Sequence, residues 1–174
     1  MKKNYLFKLV LTSLLIALNV ILERFFAYSV WNQTISFSFI TIAFAAVFLG
    51  IPYAVAVGVF GDLIGAILFP FGAYFVGFTI TNGLAAFIIA LFIYKNAGVI
   101  KIFLAVLINS LTTTLFLNTI WISILYKGGL DAFWVVFASR IPQAALMLVV
   151  QTLLISLLFS KKSKIKITIE WLFF

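Results

Sequence analysis

Long apolar stretches alternate with short polar or turn-forming clusters along nearly the whole chain. A helix that crosses the hydrocarbon layer needs about 20 mostly apolar residues. The pattern predicts six of them, over about residues 5–26, 37–50, 53–68, 75–94, 102–125 and 132–159. The second is short. The sixth is longer than a perpendicular crossing requires, which implies tilt or projection beyond the layer. Between them lie an aromatic polar stretch from Tyr28 to Thr34, a turn at Gly50 and Pro52, and a reversal from Phe69 to Tyr74 that holds Pro70 and Gly72. Two further loops are marked by Lys95, Asn96 and Gly98, and by Lys127 to Asp131. Proline fixes φ and removes a donor, and glycine opens conformations closed to other residues. Both therefore belong at these breaks.

Composition turns this pattern into a fold class. Of the 174 residues, 66% are hydrophobic and 9% charged, against roughly 45–50% and roughly 25% in soluble domains. No soluble core of this length hides that much apolar surface, so the expectation is an all-α integral membrane protein with six transmembrane helices. Lys2 and Lys3 precede an apolar run without a small-residue cleavage pattern after it, so the run reads as a retained first helix. Basic residues in short loops set the orientation. With both termini cytoplasmic, Lys2, Lys3, Lys8, Lys95, Lys101, Lys161, Lys162, Lys164 and Lys166 lie inside and only Lys127 outside, nine against one. The chain then divides into a six-helix transmembrane domain over residues 1–160 and a basic cytoplasmic tail over residues 161–174. Anionic lipid of the bilayer is the natural partner of that tail.

Several function classes drop out. The chain has no cysteine and no histidine, which removes thiolate metal sites, the commonest metal ligand and the commonest acid–base catalyst. No metal site, cofactor or catalytic constellation is expected. No phosphate-binding loop is present, so the chain does not use ATP by itself. The net charge of +8 sits at loops and ends rather than on one polar face, which argues against nucleic acid.

Ionisable residues inside a membrane are costly and are functional candidates. Here they are Glu23, Arg24, Asp62 and Arg140. Arg24 lies near the outer end of the first helix and either snorkels to headgroups or faces a ligand. Asp62, flanked by Gly61 and Gly65, reads either as an acceptor for a neighbouring helix or as a functional acid. Arg140 lies too deep for easy escape, with Pro142 close by. Thr114, Asn118 and Trp121 share one face of the fifth helix by i, i+4, i+7 spacing, and Arg140, Gln143, Met147 and Gln151 share one face of the sixth. Phe69, Gly72, Ala73 and Tyr74 form a lid, or else a plain hairpin. Together these groups suit an anionic ligand with a flat, hydrogen-bonding ring, because guanidinium forks hold carboxylates bidentately. Gly61-x-x-x-Gly65 and Ser13-x-x-x-Ala17 are small-residue patterns that let helices approach closely.

The run GDLIGAILFPFGAYFVGFT at residues 61–79, with the six spans and basic ends, resembles the substrate-binding S components of energy-coupling factor vitamin transporters. The run from Leu68 to Thr79 is similar to the folate-specific type. The resemblance implies a multi-pass protein of the bacterial plasma membrane that captures folate or a related vitamin outside. Its implied partners are a transmembrane coupling subunit and two ATPase subunits that hydrolyse ATP. The loops holding Trp31 and residues 69–74 would gate the site, and Ser13 and Ala17 would stand where the family docks its coupling subunit. Folate carboxylates would meet Arg24 or Arg140, and the pterin would lie on an aromatic such as Trp121 or Tyr74 with its edge read by Asn118, Gln143 or an acid. The alternatives are an S component for another vitamin such as pantothenate, or a small cation-coupled homodimeric transporter using Asp62 or Glu23.

Overall fold

A computed structural model of the chain describes residues 2–30, 33–70, 74–126 and 130–159. The apolar stretches fold as α1 (Lys2–Arg24), α2 (Phe39–Phe48), α3 (Ile51–Leu68), α4 (Val76–Ile93), α5 (Val99–Asn109), α6 (Asn118–Tyr126) and α7 (Phe133–Phe159). α5 and α6 are two parts of one rod, joined by a π-helical segment, Ser110–Leu117. Six spans result, as the hydropathy pattern predicts. Five are long and apolar enough to cross a membrane, and α2 is the short one. The protein is a multi-pass membrane protein. The tail expected over 161–174 lies outside the described residues.

Two local expectations need correction. The stretch after the first helix is not a plain loop. Tyr28–Val30 (β1) pairs antiparallel with Gln33–Ile35 (β2), Tyr28 opposite Ile35, so the nearly all-helical chain carries a small hairpin. The fifth span is not a uniform α-helix either. Its three consecutive threonines explain why. Thr112 Oγ1 donates to the Ile108 carbonyl at 2.7 Å and Thr113 Oγ1 to the Asn109 carbonyl at 2.7 Å. Such side-chain bonds to the preceding turn compete with the regular ladder, and β-branched residues crowd it. The ladder opens to i→i+5, with the Asn118 N–H on the Thr113 carbonyl.

α2 is short because the hairpin end of the bundle is sunk. Asn19 of α1 donates through Nδ2 to the Ser38 carbonyl at 3.2 Å and to Thr41 Oγ1 at 2.7 Å. The start of α2 is thereby pinned well before α1 ends, roughly 7 Å lower at 1.5 Å per residue. Seven of the ten α2 residues are buried, because α2 touches α1, α3, α4 and α7. Ala43, Ala45 and Ala46 are fully enclosed, and their small side chains let four helices close around one. At the opposite end Phe44, Phe48 and Phe159 form a ring cluster with centroids 4.5–6.3 Å apart. There Gly50, at φ 113°, turns the chain from α2 into α3. Few residues with a side chain tolerate that conformation.

α1 and α3 run side by side in the same direction. Lys8 sits over the Tyr53 ring at 5.8 Å near their starts, and Phe25 meets Phe69 edge-on at 5.0 Å near their ends. The approach is close because α3 presents Gly61 and Gly65. A Cβ at Gly61 would overlap Asn19 Oδ1, and one at Gly65 would lie 2.7 Å from Arg24 Nε. The small-residue pattern is thus a groove that receives two polar side chains of α1. We expect Gly61→Ala to destabilise the protein by about 1–3 kcal/mol, read as a lower unfolding temperature in detergent. Adding Asn19→Ala should recover part of the loss. An unchanged unfolding temperature would count against the close approach.

Candidate functional site

The polar groups buried between helices gather mainly at the hairpin end. Arg24, the last residue of α1, lies along the groove of α3 with its side chain 10% exposed. Its Nη2 stands 3.7 Å from Asp62 Oδ1. Asp62 is itself buried and accepts a 2.5 Å hydrogen bond from Thr79 Oγ1 on α4. The Tyr74 hydroxyl lies 3.1 Å from the same Thr79 oxygen. One polar chain therefore connects α1, α3, α4 and Tyr74, just before α4. The pairing turns the Arg24 side chain inward rather than toward headgroups. It also makes Asp62 an acceptor shared by two helices. Phe69 covers the end of α3 through its contact with Phe25.

A second group sits between α4 and α6. Trp121 Nε1 donates to Thr81 Oγ1 at 3.0 Å, and Thr81 donates to the Gly77 carbonyl at 2.8 Å. The indole packs against Phe75, with centroids 5.4 Å apart and planes at 57°. Gly77 is required here, since a Cβ would overlap the Phe75 ring and press on the indole at 2.9 Å. Trp121 is therefore a fixed, half-buried wall of the bundle interior rather than a free interfacial anchor.

A third group joins α7 to the π segment. Arg140 is 4% exposed and donates through Nε to the Thr114 carbonyl at 3.2 Å. It lies about 10 Å into α7 by helical rise, too deep to reach water easily. Gln143, one turn on, is also buried. The shared face of Arg140 and Gln143 holds as predicted. The face drawn through Thr114, Asn118 and Trp121 assumed an unbroken α-helix and is corrected by the π segment. Each of the three side chains is half-buried. Thr114 contributes its carbonyl to Arg140, and Asn118 opens α6.

Some hydrogen-bonding capacity is left over at this end. Asn118 Oδ1, Thr119 Oγ1 and Ser123 Oγ are buried without a hydrogen-bond partner. Buried polar atoms in folded proteins are nearly always paired, with protein, water or ligand. Asn118 lies one turn before Trp121 on the same side of α6, where a polar ligand could complete it, whereas Thr119 and Ser123 are fully enclosed on another face.

Trp31, Gly72 and Ala73 lie outside the described residues. Ser13 and Ala17 are on the exposed face of α1, with Ser13 Oγ turned back onto the Leu9 carbonyl at 3.0 Å. Sequence reasoning missed Thr79, Thr81, Phe75 and Asn19. Their partners are 17, 40, 46 and 22 positions away, beyond any local spacing rule. The glycines beside them, Gly61, Gly65 and Gly77, were the available signal, since each marks where another side chain presses in. Among the described residues no group of acidic, histidine or cysteine side chains is arranged to hold a metal.

Such a bundle, apolar outside and polar at one interior end, defines a membrane-embedded protein built to hold a small polar solute. The chain belongs to the substrate-specific components of ECF transporters, a family that matches residues 7–159. It is 33% identical over 142 residues to the folate transporter FolT of Clostridium novyi (strain NT), covering 81% of each chain. It is 32% identical over 124 residues to the folate transporter FolT of Leuconostoc mesenteroides, covering 70% of this chain and 66% of that one. Among solved structures it is similar to a crystal structure of FolT bound with folic acid. The TM-score is 0.79 at 30% identity, over 88% of this chain and 92% of the other.

Trp121→Phe would keep the ring against Phe75 and remove only the donor to Thr81. We expect a loss of about 0.5–1.5 kcal/mol in stability, measured by thermal unfolding in detergent. Combining it with Thr81→Val should cost less than the two changes summed, because they break the same bond.

Proposed function

We propose that the chain is the folate-binding subunit of an ECF-type importer in a bacterial plasma membrane. In this reading it captures folate from outside and releases it inside with the help of partner subunits. A transmembrane coupling subunit docks on α1 near Ser13 and Ala17, and two ATPase subunits supply the energy. The observation that carries the reading is the likeness to FolT chains over most of the length of this one. The interior supplies matching chemistry. Folate offers carboxylates and a flat ring whose edge carries donors and acceptors.

In this reading the carboxylates meet Arg24 and Arg140. Arg140 is already anchored by its Nε, so its orientation is set before the ligand arrives. A guanidinium held in place loses less freedom on binding than a mobile one. The pterin lies against Trp121. Its donors reach Asn118 Oδ1, the buried acceptor with no partner, and Gln143 reads the same edge. The turn carrying Phe69, Gly72, Ala73 and Tyr74 and the loop carrying Trp31 close over the ligand from the hairpin side. Basic residues at the opposite end of the bundle place the hairpin side outward.

The test is binding by the purified protein in detergent. Tritiated folate should be retained and excess unlabelled folate should displace it, while pantothenate should not. Displacement by pantothenate would point to a different vitamin. Arg140→Ala should weaken folate binding by about 2–4 kcal/mol, since it leaves a ligand carboxylate buried without its partner. Unchanged affinity in a folded variant would remove Arg140 from the site. Uptake in cells lacking the ATPase subunits should be lost; accumulation driven by a cation gradient would overturn the importer reading.

A further inference from the structure

Asp62 is a buried carboxylate whose contacts in the structure run to Arg24 and Thr79. Its surroundings show what it does for Arg24. Arg24 is the last residue of α1, next to Phe25 and Phe26, which are both more than half exposed. An arginine at such a helix end, on a flexible three-carbon stem, would ordinarily reach outward to headgroups and water. Here it lies inward along Gly65 and meets Asp62. Gly65 provides room but no attraction. The attraction comes from the Asp62 carboxylate, one helical turn before Gly65 on the same groove of α3. That carboxylate is in turn fixed from the far side by Thr79, which the Tyr74 hydroxyl also touches.

We infer that Asp62 is a positioning residue: with Thr79, it holds Arg24 inside the bundle, facing the ligand space rather than the headgroups. The inference deepens the folate reading and rests on it for the identity of the ligand. The guanidinium suits the task because its planar fork holds one carboxylate through one nitrogen while turning another edge toward a second anion. The contact to Asp62 runs from Nη2 to Oδ1 at 3.7 Å. Asp62 also gives Arg24 a counter-ion when no ligand is bound, so the cation stays inside an apolar bundle between rounds of binding. Tyr74 extends the same chain of contacts through its hydroxyl, which lies 3.1 Å from Thr79 Oγ1.

The first arm of the test needs no ligand. The arginines of the chain are Arg24 and Arg140, so phenylglyoxal labelling of the purified full chain, read by peptide mass spectrometry, reports each separately. Arg24 should label slowly in the unaltered protein and about tenfold faster in Asp62→Asn, as expected when a contact of about 1.4 kcal/mol is lost. Arg140 should not change and serves as the folding control. Thr79→Val should give an intermediate rate. Asp62→Glu, which keeps the charge, should retain most of the protection. Equal Arg24 labelling in the unaltered protein and Asp62→Asn would overturn the inference.

The second arm uses folate. Asp62→Asn should weaken binding about tenfold when Arg24 is present and cause no further loss in an Arg24→Met background. An additive loss there would mean that Asp62 acts by itself or only on general stability, and unchanged or tighter binding would mean that it competes with the ligand; each result overturns the positioning role. If the unaltered protein retains no folate, the proposed function fails, and the labelling arm still decides whether Asp62 governs Arg24.

Discussion

An ion pair inside a lipid-embedded bundle has to be assembled from several helices at once, and that requirement shapes one end of this protein. Taking a guanidinium and a carboxylate out of water costs several kcal/mol per ion, and a single contact between them does not repay it. The remaining oxygens and nitrogens need partners too. Asp62 meets this with Arg24 on one side and Thr79 on the other, from α1 and α4 respectively. Three helices must then lie close enough for short side chains to touch. The bare surface at Gly61 and Gly65 makes that possible, and Asn19 uses the same groove to fix the start of α2. Pairing and packing are one constraint here. The charge needs the close approach, and the polar contacts hold the helices at that distance.

The two ends of the bundle consequently differ in kind. At one end Phe44, Phe48 and Phe159 close the interior with rings alone, and Tyr94 covers Gly50. At the other, several rings sit beside polar groups. Trp121 is bonded to Thr81, Tyr74 to Thr79, and Phe25 follows Arg24 directly in the chain. A dry end gives the bundle a stable base. A mixed end offers both apolar walls and directed hydrogen bonds, the combination that small-molecule sites use to bury a ligand and fix its orientation.

Much of this is legible in the sequence because it follows from hydropathy. The six spans, the depth of Arg140 and the small-residue face of α3 all come from local composition and spacing. The shared face of Arg140 and Gln143 holds because α7 stays helical through Pro142. What is not legible depends on contacts between distant segments or on small energy differences within one. The hairpin has three residues per strand, too few for an alternation to stand out. The partners of Asp62 and Trp121 belong to other helices, and hydrophobicity has no term for which threonine faces which acid. The inward turn of Arg24 is set by tertiary contact, so its position at the end of α1 points as readily the other way.

The π segment illustrates how a small local preference moves a functional group. Threonine side chains bond back to the preceding turn at Ile108 and Asn109, and the regular ladder gives way to wider turns. The face of the rod beyond the segment is rotated relative to an unbroken helix, so Asn118 and Trp121 meet different neighbours than a 3.6-residue period would assign. The Thr114 carbonyl, within the same segment, receives the Nε of Arg140. A carbonyl oxygen has two lone pairs and can serve a helix and a side chain together. At that contact the deep arginine is steadied by a neutral backbone acceptor. A neutral acceptor lies on Arg140 while an acidic one lies beside Arg24, so the two arginines are oriented by different chemistry.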